Sequence, residues 1–300
     1  MGFSIVSTVL SPAASIALTD LATAKDELQL QAGNANHDAW LTRAIKRMSG
    51  MMANYTNRQL MPELVQDVID IDRDAYPAQS PGGFSSIQLS RWPVLGVISV
   101  VQTLSATQTL ALTEGTDYRV DLANGMLLKL NAYTGTVTDW EASPVTVIFS
   151  AGYGVLTTEA RTIPAGTPWQ LTVNGSATFS CDHKVSFNSG TALTRVSGTP
   201  TAGQYSMSSA GVYTFAAADA NKAVSITYAQ RVVPDDLADI CLRLVVARFK
   251  SRGRDPMLMQ RDDPQVGTER YWVGGTVGQD GPFTPDITAA LDTYRVPVLA

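Results

Sequence analysis

Hydrophobic residues recur with two different periods along the chain, and the sharpest change of period lies near residue 233. Between residues 224 and 228, apolar and polar side chains alternate with a period of two, which is typical of a β-strand. From Pro234 onward the apolar side chains recur every three or four positions and indicate one helix face, formed by Leu237, Ile240, Cys241, Leu244 and Val245. A β-rich stretch is therefore predicted to end directly before an amphipathic helix.

The N-terminal part also has helical periodicity. A short helix is predicted after Thr19, which has the side chain of an N-cap residue. A longer helix is predicted over residues 37–58, with Trp40 among its apolar positions and basic Arg43 and Arg47 on the other face. Helices of this length do not bury their apolar faces alone, so we expect them to share one core with the helix after Pro234.

Two different β-rich segments separate these helices. Residues 84–153 contain short runs of Val, Ile and Leu between turn residues, which predicts a compact β unit. Residues 155–230 are richer in Ser, Thr, Gly and Ala, with turns about every 8–12 residues, which is typical of a small sandwich. Residues 253–283 have no visible period, which favours a functional loop or a segment ordered by a partner. A last helix is predicted from Thr284.

The predicted fold class is α+β, namely a discontinuous α-helical bundle with a small β unit and an inserted β-sandwich. The N-terminal part of the helical core is assigned to residues 1–83 and the β unit to residues 84–154. The inserted sandwich is assigned to residues 155–231. The C-terminal part of the helical core, with an extended loop and tail, is assigned to residues 232–300.

Composition restricts the class of protein further. The chain has 300 residues, of which 45% are hydrophobic and 16% charged, as in folded globular proteins. Its formal net charge of −5 argues against bulk attraction to nucleic acid. The apolar N-terminal stretch has no basic residue before Lys25 and contains Pro12, so neither a signal peptide nor a membrane span is expected. Two cysteines are too few for a disulfide framework, which favours synthesis in a reducing compartment.

Two clusters contain side chains of the types that bind metal ions. An acidic run with the spacing of a calcium loop lacks the required glycine and final glutamate. A solvated strand edge or turn is the preferred interpretation of Asp67, Asp70, Asp72 and Asp74. Cys181 and His183 lie two residues apart, but the other histidine, His37, belongs to a different segment. We therefore expect no metal at either place.

Catalytic motifs are missing from the sequence. The segment AGYG at residues 151–154 lacks a glycine fingerprint and a phosphate-loop lysine, and turn glycines explain it better. The patterns G-x-S-x-G, H-E-x-x-H and paired C-x-x-C do not occur. We expect a protein that is not an enzyme and has no catalytic residue and no cofactor.

Several separate segments together resemble the head-to-tail connector proteins of tailed bacteriophages, also called adaptor or head-completion proteins. The resemblance is carried by LTDLATAKDELQL (18–30), HDAWLTRAIKRMSGMMANYTNRQL (37–60), LSRWPVLGVISVVQ (89–102), DYRVD with GMLLKL (117–130), VTVIFSAGYG (145–154), VPDDLADICLRLVVARFKSRG (233–253) and TPDITAALDTYR (284–295). In that family a Pro-initiated helix follows AGY almost at once, whereas here residues 155–231 intervene. The line at 198–228 is similar to an immunoglobulin-like module of other phage structural proteins.

The resemblance implies a structural virion protein of the neck, at the head–tail junction, made in the host cytoplasm. Copies of the chain would form a ring of about twelve subunits that binds the portal protein and the next neck or tail protein. The ring would extend the channel used in genome packaging and ejection, and DNA would pass without tight binding. No membrane contact is implied.

Two groups of residues are candidates for contacts. The first group is a basic cluster that comprises Arg243, Arg248, Lys250, Arg252 and Arg254. It is predicted to face a neighbouring subunit or the DNA channel. Alternatively, its charges complement the dipole at the C-terminal end of the helix. Partner-binding anchors are predicted in the glycine-rich loop and in the C-terminal tail, which could add as a strand to a partner's sheet. Alternatively, the loop folds back onto its own subunit and the tail frays. The predicted anchors are Tyr271, Trp272, Val273, Phe283, Val296, Val298 and Leu299.

An alternative function places the activity in the β-sandwich of residues 155–231. An adhesion or carbohydrate-binding protein uses exposed aromatic rings to stack on sugars, and the candidates are Trp169, Tyr205, Tyr213 and Phe215. Such a protein has no need of a helical frame around its binding module, and the frame therefore favours the connector.

Overall fold

The structure is a computed structural model that describes residues 3–71, 86–141, 143–252, 260–263, 267–270 and 283–295. The chain forms two compact units, each discontinuous in sequence. The β-rich unit consists of Met1–Ser15 and Leu60–Val232, and the helical unit consists of Ile16–Gln59 and Val233–Ala300.

The helical unit contains the four helices of the described residues: α1 (Leu21–Glu27), α2 (Asp38–Thr56), α3 (Asp235–Lys250) and α4 (Pro285–Asp292). The predicted helices are confirmed, and Thr284 is the N-cap residue of α4 as expected. The N-cap of α1 is Asp20 instead of Thr19, because the Asp20 carboxylate accepts a hydrogen bond from the Thr23 amide at 2.7 Å. No helix of the described residues is both long and apolar enough to cross a membrane.

Helices from opposite ends of the chain pack together in this unit. The apolar stripe of α2 is buried and faces the stripe of α3, whose buried members are Leu237, Ile240, Cys241 and Val245. Ser49 Oγ of α2 lies 3.5 Å from Cys241 Sγ of α3. Tyr55 of α2 donates a hydrogen bond to Asp292 of α4 at 2.7 Å. The three helices thus surround one apolar interior.

The β-rich unit contains most of the strands of the described residues. In chain order they are β1 (Phe3–Ser11), β2 (Glu63–Ile71), β3 (Ser86–Gln88), β4 (Val94–Ser105), β5 (Gln108–Leu112), β6 (Tyr118–Asp121), β7 (Met126–Lys129), β8 (Val145–Ala151), β9 (Gly154–Thr162), β10 (Gln170–Thr172), β11 (Phe179–Phe187), β12 (Thr194–Arg195), β13 (Gln204–Met207), β14 (Val212–Phe215) and β15 (Ala223–Arg231). The helical unit adds the hairpin β16 (Gln260–Asp263) and β17 (Gly267–Arg270).

The described strands of the β-rich unit, β1 to β15, form four sheets. An antiparallel five-stranded sheet has the order β1-β2-β8-β4-β5, and a three-stranded sheet has the order β3-β7-β6. Val65, Val147 and Phe149 are fully buried in the core that these two sheets share. The other two sheets, β10-β14-β13-β12 and β11-β15-β9, share a second core that includes Tyr213 and Tyr228.

Polar contacts join β11 to the five-stranded sheet within the β-rich unit. Ser180 Oγ donates to the Pro62 carbonyl at 2.7 Å, and Ser150 Oγ lies 2.8 Å from His183 Nδ1. All of the side chains involved are buried. Residues 155–231 therefore contact the preceding strands through buried hydrogen bonds.

The predicted fold class is wrong in its main proportion. The chain is mostly β, with 39% strand and 21% helix, and is not a helical bundle with a small β unit. The prediction failed because β1 and β2 lie within residues 1–83, which were assigned to the helical core, and because α1 and α4 are short. Residues 253–283, predicted to have no regular structure, contain the hairpin β16–β17. The four-part domain division and the immunoglobulin-like insert stay predictions.

Candidate functional site

A recess on the helical unit is lined by one aromatic and three basic side chains. It has a volume of about 230 Å³, and its lining residues are Trp40, Arg43, Ala44, Arg47 and Arg248. The first four belong to α2, and Arg248 lies in the last turn of α3. We call this recess the arginine pocket.

The helical repeat of α2 places most of the pocket residues together. Positions three and four apart are neighbours on a helix surface, so Trp40, Arg43 and Arg47 form one stripe. Ala44 is buried next to this stripe. Packing of α3 against α2 then brings Arg248 to the same recess. The pocket therefore depends on both halves of the discontinuous helical unit.

The arginine pocket carries positive charge. Within the described ranges, no carboxylate forms an ion pair with Arg43, Arg47 or Arg248. Asp38, the acidic residue in the first turn of α2, pairs instead with Lys25 at 2.7 Å. Arg43 Nε donates to the carbonyl of Ala39 at 3.1 Å, which holds that guanidinium along the surface of α2.

Arg252 extends the positive surface next to the pocket. Its guanidinium carbon lies 4.8 Å from the centroid of the Trp40 ring and 5.2 Å from that of Phe249. Its Nη1 donates to His37 Nδ1 at 3.3 Å. Trp40 and Phe249 meet edge to face, with their centroids 5.5 Å apart. These contacts hold the Arg252 side chain in one orientation beside the pocket.

Such an arrangement binds anionic groups. A guanidinium keeps its charge at physiological pH and donates through a planar fork that fits a carboxylate or a phosphate. Side chains from two helices approach the recess from different sides, so an anion within it receives donors from more than one direction. The arrangement can therefore recognise an acidic group.

The structure separates the basic cluster that the sequence groups together. Arg248 lines the arginine pocket and Arg252 flanks it, whereas Arg243 pairs with a carboxylate of α4 at 2.7 Å. Lys250 is exposed at the end of α3, and Arg254 lies outside the described residues. The assignment of this cluster to a subunit contact or to the DNA channel stays a prediction.

Phe283 is the one predicted partner-binding residue that the structure describes. Its side chain is 4% exposed and meets Tyr55 edge to face, with ring centroids 5.4 Å apart, so it packs within the helical unit. The others lie outside the described residues: Tyr271, Trp272, Val273, Val296, Val298 and Leu299. Their contacts with a partner stay predictions.

Sequence reasoning missed the arginine pocket because it divided the pocket residues between two patterns. Trp40 was assigned to the apolar face of the helix, and Arg43 and Arg47 to the solvated face. A signal was present, since an aromatic residue and two arginines recur at helical spacing from residue 40 to residue 47. The contribution of Arg248 had no signal, because it depends on helix packing across a long separation in sequence.

Cys181 and His183 are buried together in the β-rich unit. Burial raises the pKa of the Cys181 thiol, which disfavours the reactive thiolate. Burial, and secondarily the neighbouring Lys184 charge, lowers the pKa of His183 to about 4. Both side chains are at most 6% exposed, and Ser150 is within hydrogen-bond distance of the imidazole. This geometry serves packing and hydrogen bonding within the fold.

Part of the acidic run is also explained by local hydrogen bonds. Asp67 is fully buried, and its carboxylate accepts bonds from the Ser90 amide at 2.8 Å and from the Ser90 hydroxyl at 2.7 Å. Asp72 and Asp74 lie outside the described residues. In the part of the chain that the structure describes, no group of three or more His, Cys, Asp or Glu side chains is placed to hold a metal ion.

The aromatic residues proposed for sugar binding lie mostly in the interior of the sandwich. Tyr205 is 3% exposed, Tyr213 is 0% exposed and Phe215 is 2% exposed. Trp169 is half-buried and packs against the same core. The rings of Tyr205, Tyr213 and Phe215 therefore do not present a face to a sugar, and of the four candidates Trp169 alone keeps part of its surface exposed.

No protein-family model and no curated protein matches the chain. It is similar to a chain in the neck of an empty gene transfer agent (GTA) particle computed with C6 symmetry, at 15% identity and a TM-score of 0.40, covering 100% of this chain and 98% of that one. It is also similar to a chain in the virion of a native gene transfer agent particle, at 14% identity and a TM-score of 0.37, covering 100% and 98%. Both structures are of a phage-like particle. TM-scores below 0.5 do not establish a shared fold.

Proposed function

We propose that this protein is a structural subunit of the neck of a tailed-phage-like particle, in which copies of the chain form a ring between the portal and the tail. One observation carries the proposal. The connector-like segments at 18–30, 37–60, 233–253 and 284–295 all contain helices, and these helices assemble from opposite ends of the chain in one unit.

The contacts between helices of the helical unit support this role physically. The Ser49–Cys241 contact joins α2 to α3, and the Tyr55–Asp292 hydrogen bond joins α2 to α4. These contacts fix the helices relative to one another. A ring subunit needs such a rigid body, because each copy presents one surface to one neighbour and a different surface to the other.

The charge of the chain is compatible with a DNA channel. With a net charge of −5, a ring of copies does not attract the DNA backbone in bulk. Each basic contact with a phosphate adds affinity that a moving DNA molecule must break. In this proposal DNA passes without tight binding during packaging and ejection, and the protein partners are the portal and the next neck or tail protein.

Reconstitution of particles tests the proposal. Particles that lack the protein are incubated with the purified full chain, and their vertices are imaged by electron cryomicroscopy. Ring-shaped density between portal and tail, with restored tail attachment, is the expected result. No added density, or density elsewhere on the particle, would contradict the proposal.

A pair of matched variants connects that test to the helical unit. Leu41 is fully buried on α2, so Leu41→Ala is expected to reduce incorporation into particles. Leu122 is 46% exposed, so Leu122→Ala removes the same atoms without opening a cavity and is expected to incorporate normally. Equal incorporation of both variants would contradict a role of the helical unit in assembly.

A further inference from the structure

We propose that the arginine pocket binds carboxylates from the beginning of α3 of a second copy of this chain. The inference rests on the ring proposed above and adds which surfaces of neighbouring subunits meet. The pocket and the start of α3 both belong to the helical unit, so each copy carries both halves of the contact.

Helix α3 has opposite charges at its two ends. Asp235 and Asp236 lie in its first turn, Asp239 follows one turn later, and Arg248 lies in its last turn. The three aspartates are exposed. Asp236 accepts a hydrogen bond from the Tyr294 hydroxyl, whereas Asp235 and Asp239 form no ion pair within the described ranges. Among the described residues, the carboxylates of Asp235 and Asp239 are therefore without an ion-pair partner.

The two ends of α3 cannot meet within one copy. At a rise of 1.5 Å per residue, Asp235 and Arg248 are about 20 Å apart along the helix axis. At 100° per residue, Asp239 and Arg248 lie on opposite sides of α3, about 180° apart. A contact between the acidic start of one α3 and the arginine pocket must therefore join two copies. It joins different surfaces of each copy and so continues from subunit to subunit, and it forms the proposed ring when the rotation between neighbours closes.

The occupant is a carboxylate more readily than a DNA phosphate. The chain has 27 acidic and 22 basic residues, so a second copy carries a formal net charge of −5. The three arginines line a recess of about 230 Å³, which admits side chains. A DNA duplex needs basic residues spread along an extended surface that follows its backbone. Arginine also forms bidentate pairs with carboxylates.

Charge reversal tests the contact on the full chain. The pocket variant is Arg47→Glu with Arg248→Glu, and the helix-start variant is Asp235→Lys with Asp239→Lys. The control variant is Lys46→Glu with Lys184→Glu, two exposed positions that do not line the pocket and change the net charge as the pocket variant does. Circular dichroism checks that each variant is folded, and sedimentation velocity at several concentrations measures self-association.

The wild-type chain is expected to self-associate, more weakly as salt is added. The pocket variant and the helix-start variant should each associate at least about tenfold more weakly. The control should behave as wild type. An equimolar mixture of the pocket and helix-start variants should regain association, because each reversed surface then meets an opposite charge. A chain carrying all four reversals should regain it as well.

Three results would overturn the inference: a wild-type chain that stays monomeric at every concentration, a control variant that associates as weakly as the pocket variant, or a mixture that fails to associate.

A phosphate site is distinguished by fluorescence anisotropy with a labelled DNA duplex. Salt-sensitive duplex binding that only the pocket variant loses, with self-association unchanged, would also overturn the inference.

Ring density at the neck with unaltered assembly of the pocket variant would reject this contact and leave the proposed function standing. Charge-swap rescue without density on particles would reject the proposed function instead.

Discussion

At the scale of single residues, His183 shows how burial sets a charge state. Its imidazole is 6% exposed, and Nδ1 lies 2.8 Å from Ser150 Oγ. A Cβ at Gly96 would lie 3.6 Å from the imidazole ring, so the backbone of β4 closes over it. Desolvation disfavours the imidazolium ion and lowers the pKa of His183 to about 4 from its usual 6.5. The side chain is therefore neutral and within hydrogen-bond distance of Ser150 at neutral pH.

The lowered pKa predicts a loss of stability in acid. Between pH 6.5 and 4 the unfolded chain binds a proton at residue 183 that the folded chain does not. The free energy of unfolding must then fall as the pH falls through this window, by about 3 kcal/mol at pH 4. Urea unfolding of the β-rich unit at pH 7 and pH 4 should show that the stability difference between wild type and His183→Asn shrinks by this amount. An unchanged difference at the two pH values would refute the assignment.

Asp182 gives a second prediction at this scale. It is 1% exposed, and its carboxylate accepts hydrogen bonds from the hydroxyls of Tyr205 at 2.6 Å and Tyr213 at 2.9 Å. Tyr213→Phe removes one donor from a buried acceptor and is expected to lower the free energy of unfolding by about 1–3 kcal/mol. The matched control is Tyr133→Phe, because Tyr133 is 99% exposed, and it should change stability by less than about 0.5 kcal/mol. Chemical denaturation measures both variants.

At the scale of elements, the turn between β8 and β9 depends on its first glycine. Gly152 has a φ of +131°, which side chains rarely adopt. A Cβ there would lie 2.6 Å from the Met61 carbonyl carbon and from the Pro62 nitrogen, both of which are backbone atoms. The glycines of AGYG thus allow close approach of the chain just before β2, which agrees with a turn and not with a phosphate loop.

Gly152→Ala is therefore expected to destabilise the β-rich unit by more than about 2 kcal/mol, since both the backbone angle and the contact distance oppose a methyl group. Gly166 serves as the control because no atom lies within 4 Å of a Cβ built there. Gly166→Ala should leave the midpoint of thermal unfolding almost unchanged. Equal effects of the two substitutions would show that the close approach does not constrain this turn.

At the scale of the whole molecule, the central feature is a helical unit assembled from both ends of the chain. Leu41 of α2 and Leu237 of α3 are both fully buried in this unit, although the strands of the β-rich unit lie between them in sequence. The stability of α1 and α2 thus depends on residues that lie much later in the sequence, because these helices do not bury their apolar stripes without α3.

Hydrogen exchange can measure this dependence. Leu41→Ala opens a cavity in the helical unit and is expected to lower its local stability by about 2–5 kcal/mol. Amide protection should fall in both 38–56 and 235–250, while β8 of the β-rich unit keeps its protection. Leu122→Ala, at an exposed position, should leave protection unchanged in all of these segments. Loss of protection confined to α2 would contradict a shared helical core.

The sequence predicted the helices more accurately than the sheets, for an identifiable reason. The three-and-four spacing of α2 and α3 is local, and the predicted segment 37–58 agrees closely with Asp38–Thr56. Strand β2 had no comparable signal, because its buried face includes the polar side chain of Asp67 beside Val65, Ile69 and Ile71. Its partners, β1 and β8, also lie far away in sequence. Its acidic residues were interpreted as a solvated strand edge or turn. Asp70 is exposed in the strand, whereas Asp67 is buried and bonded to Ser90. Pairing across such distances cannot be read from periodicity.

The amino-acid sequence alone determined the helical segments, the change of rhythm at residue 233 and the absence of catalytic motifs, because each depends on neighbours within a few positions. The tertiary structure decided that the chain is mostly β, that the sandwich aromatics form a core, and that Arg248 joins Arg43 and Arg47 at one recess. Each of these depends on which distant segments pack together. Burial and charge neighbours, which set the chemistry of a side chain, exist only once that packing is made.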